Sequence, residues 1–388
     1  MATKIIPEVE TFARIKVVGV GGSGKNAINH MINSHVKGVD FVTINTDAQD
    51  LHHSLAKHKV HIGKNLTRGL GTGMNPATGK QAAEETKEEV QESLKGADMV
   101  FIACGMGGGT GTGAAPIVAR TAKELGALTI AVTTRPFSFE GAQRGRLAEQ
   151  GLDELRKEVD ALIVIPNDRL LSVVDKQTTA RSAFAMCDDI LRQAVEGISD
   201  IIVTPGIINV DFADVRAIME NAGSALMGIG SASGEKRAEE AAKAAINSPL
   251  LDISIHGAKG VLFAIAGGDD ITMHEIQEAA KVITESIDPN AKVIFGAIKD
   301  EKLKKNEIRV TVIATGFPES AVSKAESLFQ LRKQEDREER KLETPVIKTT
   351  IPPPMIKENK VENKPLSATE DDNDWGAVPA FLRRSKTK

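Results

Sequence analysis

Short apolar runs alternate with amphipathic stretches from Arg14 to about Pro166. Ile15–Gly19, Phe41–Asn45, Met99–Cys104, Leu128–Thr133 and Ala161–Ile165 read as strands. Between them, Asn75–Lys95 and Gly111–Leu125 carry the helical period. Such alternation predicts an α/β domain with a mostly parallel sheet covered on both faces, which binds ligands at the carboxyl ends of its strands. A long helix then runs from about Thr179 to Val203, where Ala183, Cys187, Ile190, Ala194, Ile198 and Ile201 recur at helical spacing as a core stripe. Pro205-Gly206 ends it. From about Phe212 to Thr315 a second unit mixes strands (Gly223–Gly230, Gly260–Ala266, Val293–Ala297, Ile308–Ala314) with helices (Glu235–Asn247, Thr272–Ser286) around a smaller sheet.

After Pro318 the pattern is lost. Leu328 to Lys341 is dense in charge, and Pro345 to Asp374 is polar and proline-containing. A segment so poor in large apolar residues buries too little surface to offset its ordering entropy, so it reads as a disordered linker. The chain closes on Asp374-Trp375-Gly376-Ala377-Val378-Pro379-Ala380-Phe381-Leu382-Arg383-Arg384, a sudden cluster of aromatic, apolar and basic groups. That contrast predicts a docking peptide.

The 388 residues suffice for two domains and a tail. A net charge of −4 gives no basic field for nucleic acid, and one Trp with no Tyr leaves little to stack on bases. Two cysteines cannot build a disulfide scaffold; Cys104 and Cys187 read as small buried hydrophobes. No apolar run has the length of a membrane span, and the start, Met1-Ala2-Thr3-Lys4, lacks a leader pattern, so the expected location is the cytoplasm.

Chemistry concentrates in two glycine segments. Gly105-Met106-Gly107-Gly108-Gly109-Thr110-Gly111-Thr112-Gly113 follows one strand and opens a helix. Bare backbone N–H groups and the helix dipole converge there, glycines let the main chain lie against a phosphate, and the threonines add hydroxyl donors. Gly19-Val20-Gly21-Gly22-Ser23-Gly24-Lys25-Asn26 follows the first strand. Alone it is ambiguous. It satisfies G-x-G-x-x-G, and Asp47 stands where a ribose-binding acid would, which describes an NAD(P)-dependent Rossmann oxidoreductase. It also nearly fits G-x-x-x-x-G-K-[ST], but Asn26 replaces the hydroxyl residue that would hold Mg2+. Neither pattern explains two phosphate loops on one sheet, which suggest a triphosphate gripped from both sides.

Gly107 to Gly113 resembles the tubulin-type signature loop. Gly21–Asn26, Asn45-Thr46-Asp47-Ala48-Gln49, Thr134-Arg135-Pro136-Phe137-Ser138-Phe139-Glu140-Gly141, Pro166-Asn167-Asp168, Asn209-Val210-Asp211-Phe212-Ala213-Asp214 and the Pro379-to-Arg384 ending are similar, in the same order, to segments of the bacterial FtsZ family. The resemblance covers about Ile15 to Phe317 and the last dozen residues. It implies a tubulin-like, Rossmann-like GTPase domain over residues 14–178 after an N-terminal extension (1–13). A central helix (179–203), a smaller α/β activation domain (204–317), a disordered linker (318–373) and a docking peptide (374–388) follow.

The resemblance also assigns residues. Gly21, Gly22, Ser23, Gly24, Lys25 and Asn26, with Gly107, Gly108, Gly109, Thr110 and Gly111, would hold the phosphates of GTP or GDP, with Mg2+ carried on those phosphates and no dedicated protein ligand. Glu140 and Arg144 would face ribose and phosphate, although by spacing alone they are an ion pair at a helix start. Phe184 would stack on the purine and Asp188 accept guanine N–H donors, with Asn167 nearby; without the resemblance Phe184 reads as core. Asn209, Asp211 and Asp214 by themselves read as a helix cap. The family pattern puts them on the face opposite the nucleotide, where they complete the neighbouring subunit's site. The implied protein polymerises head-to-tail, hydrolyses GTP when assembled, and forms a cytokinetic ring at midcell. Trp375, Pro379, Phe381, Leu382, Arg383 and Arg384 would reach membrane-tethering and regulatory division proteins, with no nucleic acid bound and no direct membrane insertion.

Some positions depart from the family pattern. Ser23 and Lys25 stand in a loop that is commonly all glycine before its Asn, and Thr72 and Met74 replace smaller residues. Lys25 either adds a charge near phosphate or points to water. Trp375-Gly376-Ala377 replaces a more polar stretch.

Overall fold

The computed structural model describes residues 13–171, 178–248, 251, 255, 257–300 and 302–317. The expected linker and docking peptide, and nearly all of the N-terminal extension, lie outside these residues.

The chain enters through β1 (Ile15–Val20) and turns directly into α1 (Gly21–Asn33), then continues with β2 (Val39–Asn45), α2 (Ala48–His52) and β3 (His58–His61). After α3 (Lys64–Thr67), α4 (Pro76–Glu85) and α5 (Lys87–Leu94) come β4 (Met99–Gly105), α6 (Thr110–Glu124), β5 (Leu128–Arg135), α7 (Ala142–Glu158), β6 (Ala161–Pro166) and α8 (Asn167–Leu171). Strands β1 to β6 pair in parallel in the order β3-β2-β1-β4-β5-β6. The order reverses between β1 and β4. Such a reversal opens a crevice at the carboxyl ends of the two strands.

Period-two alternation sorts the strand side chains. Ile15 and Val17 of β1, with Met99, Phe101 and Ala103 of β4, enter one core with Ala27, Ile28 and Met31 of α1. Val18 and Val20, with Val100, Ile102 and Cys104, enter the other core with α4, α5, α6 and α7. Strands buried on both faces explain the continuous apolar runs in the sequence. The expected single helix Asn75–Lys95 is two, α4 and α5, broken at Thr86. Its hydroxyl donates to the Ala82 carbonyl at 2.7 Å and accepts the Gly63 N–H at 3.2 Å. The four-residue edge strand β3 gave no apolar signal because its sequence is His-Lys-Val-His.

The long helix α9 (Ala180–Val203) begins at Thr179, whose side chain accepts the Ser182 N–H at 3.2 Å. Its predicted stripe is in the core from Cys187 to Ile201, joined by Leu191 and Val195; Ala183 is only partly covered. Each such fully buried Leu, Ile or Val contributes roughly 1.5–3 kcal/mol. Beyond it lie α10 (Phe212–Met219), β7 (Gly223–Ser233), α11 (Arg237–Ile246), β8 (Gly260–Gly267), α12 (Met273–Thr284), β9 (Lys292–Lys299) and β10 (Glu307–Thr315).

The smaller sheet is not separate. At its start β7 pairs in parallel with β6 (Ala161–Ile163 against Gly223–Ala225), and from Leu226 onward it pairs antiparallel with β10. One sheet of ten strands results, ending β6-β7-β10-β8-β9. Leu262 and Ala264 of β8 face the α9 core, whereas Val261, Phe263 and Ile265 face a third core with α11 and α12.

Candidate functional site

Both glycine segments lie at the β1/β4 crevice, each as the start of a helix. Gly21 takes φ +73°, and a Cβ there would come within 2.9 Å of the Gly111 nitrogen, so the two turns touch and only glycine fits. Gly107 takes φ +92° with the Arg144 carbonyl 2.7 Å from where its Cβ would be, which seats α7 against the second turn. Gly108 faces open space. The Thr110 hydroxyl lies 2.7 Å from that of Thr46 and 3.3 Å from that of Thr72, and the Thr112 hydroxyl accepts the Gly107 N–H at 2.9 Å. Gly22, Ser23 and Asn26 are exposed, whereas Gly24 and Lys25 are buried. Lys25 therefore does not point to water: its Nζ lies 2.6 Å from Asp50 Oδ1.

The far wall comes from the segment after β5 and from α9. Glu140 pairs with Arg144 and accepts the Phe137 N–H at 3.0 Å. The buried Phe137 stacks on Phe139 with centroids 5.0 Å apart and meets Phe184 edge-on at 5.3 Å. Phe184 is 47% exposed, so it is not a core residue; its ring is open to a ligand. One turn on, burial pushes the Asp188 carboxyl up to about 6, against the opposing pull of His30 and Lys25. Asn167 is buried at the start of α8, and its Oδ1 has no hydrogen-bond partner; neither has the buried Nε of Arg144. Orphaned polar atoms of this kind fit a polar ligand rather than a packed core.

Asn209, Asp211 and Asp214 are not brought to this crevice. The 24 residues of α9 rise about 36 Å, and the three follow its far end. All three are exposed. The Asn209 carboxamide oxygen accepts the Gly206 N–H at 2.7 Å, Asp211 caps α10 by accepting the Ala213 N–H at 3.3 Å, and Asp214 stands in the first turn of α10. Asp47 is also a cap, accepting the Asp50 N–H at 2.9 Å at the start of α2. Thr46 and Phe137 fall in segments that carry the resemblance but had no assigned role, and Asp50 lies outside them; each acts through a residue distant in the chain, Thr110, Phe184 and Lys25 respectively. Among the described residues no helix is long and apolar enough to cross a membrane.

Comparison with known proteins shows the family and the fold. Residues 14–175 match the GTPase domain of the tubulin/FtsZ family, and residues 223–318 match the C-terminal domain of the FtsZ family. Similar solved structures include an empty FtsZ dimer of M. jannaschii, 48% identical over 79% of this chain and 89% of that one, with a TM-score of 0.76. A point mutant of M. jannaschii FtsZ is 47% identical over 79% and 92%, with the same score. CetZ2 from Haloferax volcanii, in a GTPγS-bound protofilament, shares the fold at 22% identity over 84% and 99%, with a TM-score of 0.69. These matches do not favour the Rossmann oxidoreductase alternative.

Proposed function

Because the chain belongs to the tubulin/FtsZ family and carries its GTPase domain, we propose that it is a GTPase that assembles head-to-tail and hydrolyses GTP at the contact between subunits. One observation carries this reading: the glycine turns, Phe184 and Asp188 gather at one end of α9, and the acids lie beyond the other end. In this reading the exposed acids of a second copy, brought to the crevice, supply the attacking base. Contacts that join opposite faces do not close, so they build a filament. The solved FtsZ dimer of M. jannaschii supports self-association.

In this mechanism the N–H groups of both turns and the Thr110 hydroxyl hold the phosphates. Phe184 stacks on guanine, while Asp188 accepts its N–H donors and Asn167 a further polar edge. Glu140 and Arg144 hold the ribose side. Asp211 and Asp214 of the adjacent subunit, oriented by Asn209, align a water on the γ-phosphorus and take its proton as the bond to the β-phosphate oxygen breaks, giving GDP and phosphate. Mg2+ bound with the nucleotide would offset phosphate charge as the γ-phosphoryl group leaves. Loss of the γ-phosphate loosens the contact and drives filament turnover. In the cytoplasm the filaments form the cytokinetic ring at midcell, and Trp375 with Pro379, Phe381, Leu382, Arg383 and Arg384 reaches the tethering and regulatory division proteins.

The test is GTP turnover per subunit across protein concentration, for wild type and Asp214→Ala. A sharp rise above a threshold, lost in the variant while GTP still binds, is the expected result. Flat specific activity, identical in the two proteins, would sink the shared site.

A further inference from the structure

Lys25 stands inside the first glycine turn, and its partner Asp50 lies just past the Asn45–Gln49 segment. The lysine is 8% exposed, with its ammonium 2.6 Å from Asp50 Oδ1. The second Asp50 oxygen accepts the Asn45 amide at 2.8 Å, and Asn45 Oδ1 in turn accepts the Thr46 N–H at 2.9 Å. Asp50 Oδ2 also lies close under Gly22, 3.5 Å from where a Cβ would be. Thr46, at the other side of the same segment, shares a hydroxyl contact of 2.7 Å with Thr110 of the second turn. Residues 45–50 therefore touch both glycine turns, the first through an ion pair and the second through a hydroxyl pair. With side-chain exposures of 11% for Lys25 and 30% for Asp50, the pair is partly desolvated, and that cost offsets much of its attraction. Such a pair is poorly explained by stability, and better by the geometry it enforces.

We propose that Asp50 is a positioning residue for the nucleotide phosphates: held by Lys25 and Asn45, it makes residues 45–50 a strut that sets the spacing of the two glycine turns, and that spacing favours a triphosphate over a diphosphate. The proposal rests on the reading that these turns grip GTP. Lys25 then acts through Asp50 and not as a free cation on the ligand. A diphosphate spans less of the gap between the turns, so its affinity depends less on the strut.

The test uses the full chain, with GTP and GDP titrated separately against wild type, Lys25→Met, Asp50→Asn, the double variant and Thr46→Val, and with thermal midpoints recorded for each. Each single variant should weaken GTP about tenfold and GDP about threefold or less, which lowers the GTP/GDP preference. The double variant should be no worse than Lys25→Met alone, because the pair acts as a unit. A shift in thermal midpoint with an unchanged GTP/GDP preference would make the pair merely structural and overturn the strut. Tighter binding of both nucleotides by Asp50→Asn would also overturn it, since Asp50 would then be competing with phosphate for Lys25. If wild type retains no GTP, the functional reading fails first; if wild type binds and hydrolyses GTP and only the preference is unmoved, the strut alone falls.

Discussion

Replacing Asp188 by Asn should move affinity and stability in opposite directions. Burial raises this carboxyl to about 6, with His30 and Lys25 pulling it partly back. An acid whose folded value lies above its unfolded one costs stability as pH rises from the ordinary carboxylate range through about 6. Asp188→Asn removes that cost, so the nucleotide-free protein should melt higher at pH 7 and about equally at pH 4. Guanine needs the charged form to accept its two N–H donors. With a midpoint of about 6, about nine-tenths of the carboxylate is charged at pH 7 and about one-tenth at pH 5, so affinity should fall about tenfold between them. The Asn variant should bind about 10- to 100-fold more weakly at pH 7, the loss of charge-assisted contacts worth about 1.5–3 kcal/mol. Nucleotide phosphates titrate in the same range, so the informative quantity is the difference between the wild-type and Asn profiles in GTP titrations from pH 5 to 8. Calorimetry near pH 6 should also detect about half a proton more released on binding by wild type than by the Asn variant. Parallel pH profiles, or an Asn variant with wild-type affinity, would refute the role of Asp188.

Two further substitutions test how the ring and the helix are placed. Phe184→Ala should cost less than about 1 kcal/mol of stability, since the ring is 47% exposed, yet weaken GTP by the 1–3 kcal/mol or so typical of base stacking; Phe137→Ala, 1% exposed, should cost about 3–5 kcal/mol by denaturant titration. Equal stability losses would mean that Phe184 is packed after all. Asp200, on the α9 face toward β10, is raised to about 7 by burial and by Glu196 and Asp300, opposed by Lys302 and Arg309. Ionising it costs stability as pH rises from about 4 to about 7, so Asp200→Asn should raise the melting temperature more at pH 8 than at pH 5. A gain independent of pH would show that charge is not the cause.

Much of the fold was legible because local rules and tertiary demands agree. Met99 to Cys104 is continuously apolar because both faces of β4 are buried, and a continuous run reads as a parallel strand from sequence alone. The stripe of α9 was visible for a similar reason, since one face serves one core along most of its length. Legibility failed where a single contact overrides periodicity. Thr86 breaks an otherwise unbroken helical pattern because its hydroxyl serves Gly63, 23 residues earlier. β3 is an edge strand, and an edge has one partner and little to bury. β7 carried a strand pattern but no sign that its first residues belong to the larger sheet.

The sequence by itself determined the chemistry on offer: glycine-rich helix starts that present N–H groups, an aromatic and an acid one turn apart on a helix, and an Asn-x-Asp-x-x-Asp loop after it. Spacing along one helix or one turn is set by covalent geometry, so such groupings survive without a fold. Only the tertiary structure decided that the two turns touch at the reversal of strand order, that Phe184 is open while Phe137 is covered, and that Lys25 is answered by Asp50. Each of those facts depends on elements brought together from distant parts of the chain. Burial and charge pairing belong to neighbours in space, and a neighbour in space leaves no mark on the residue it will meet.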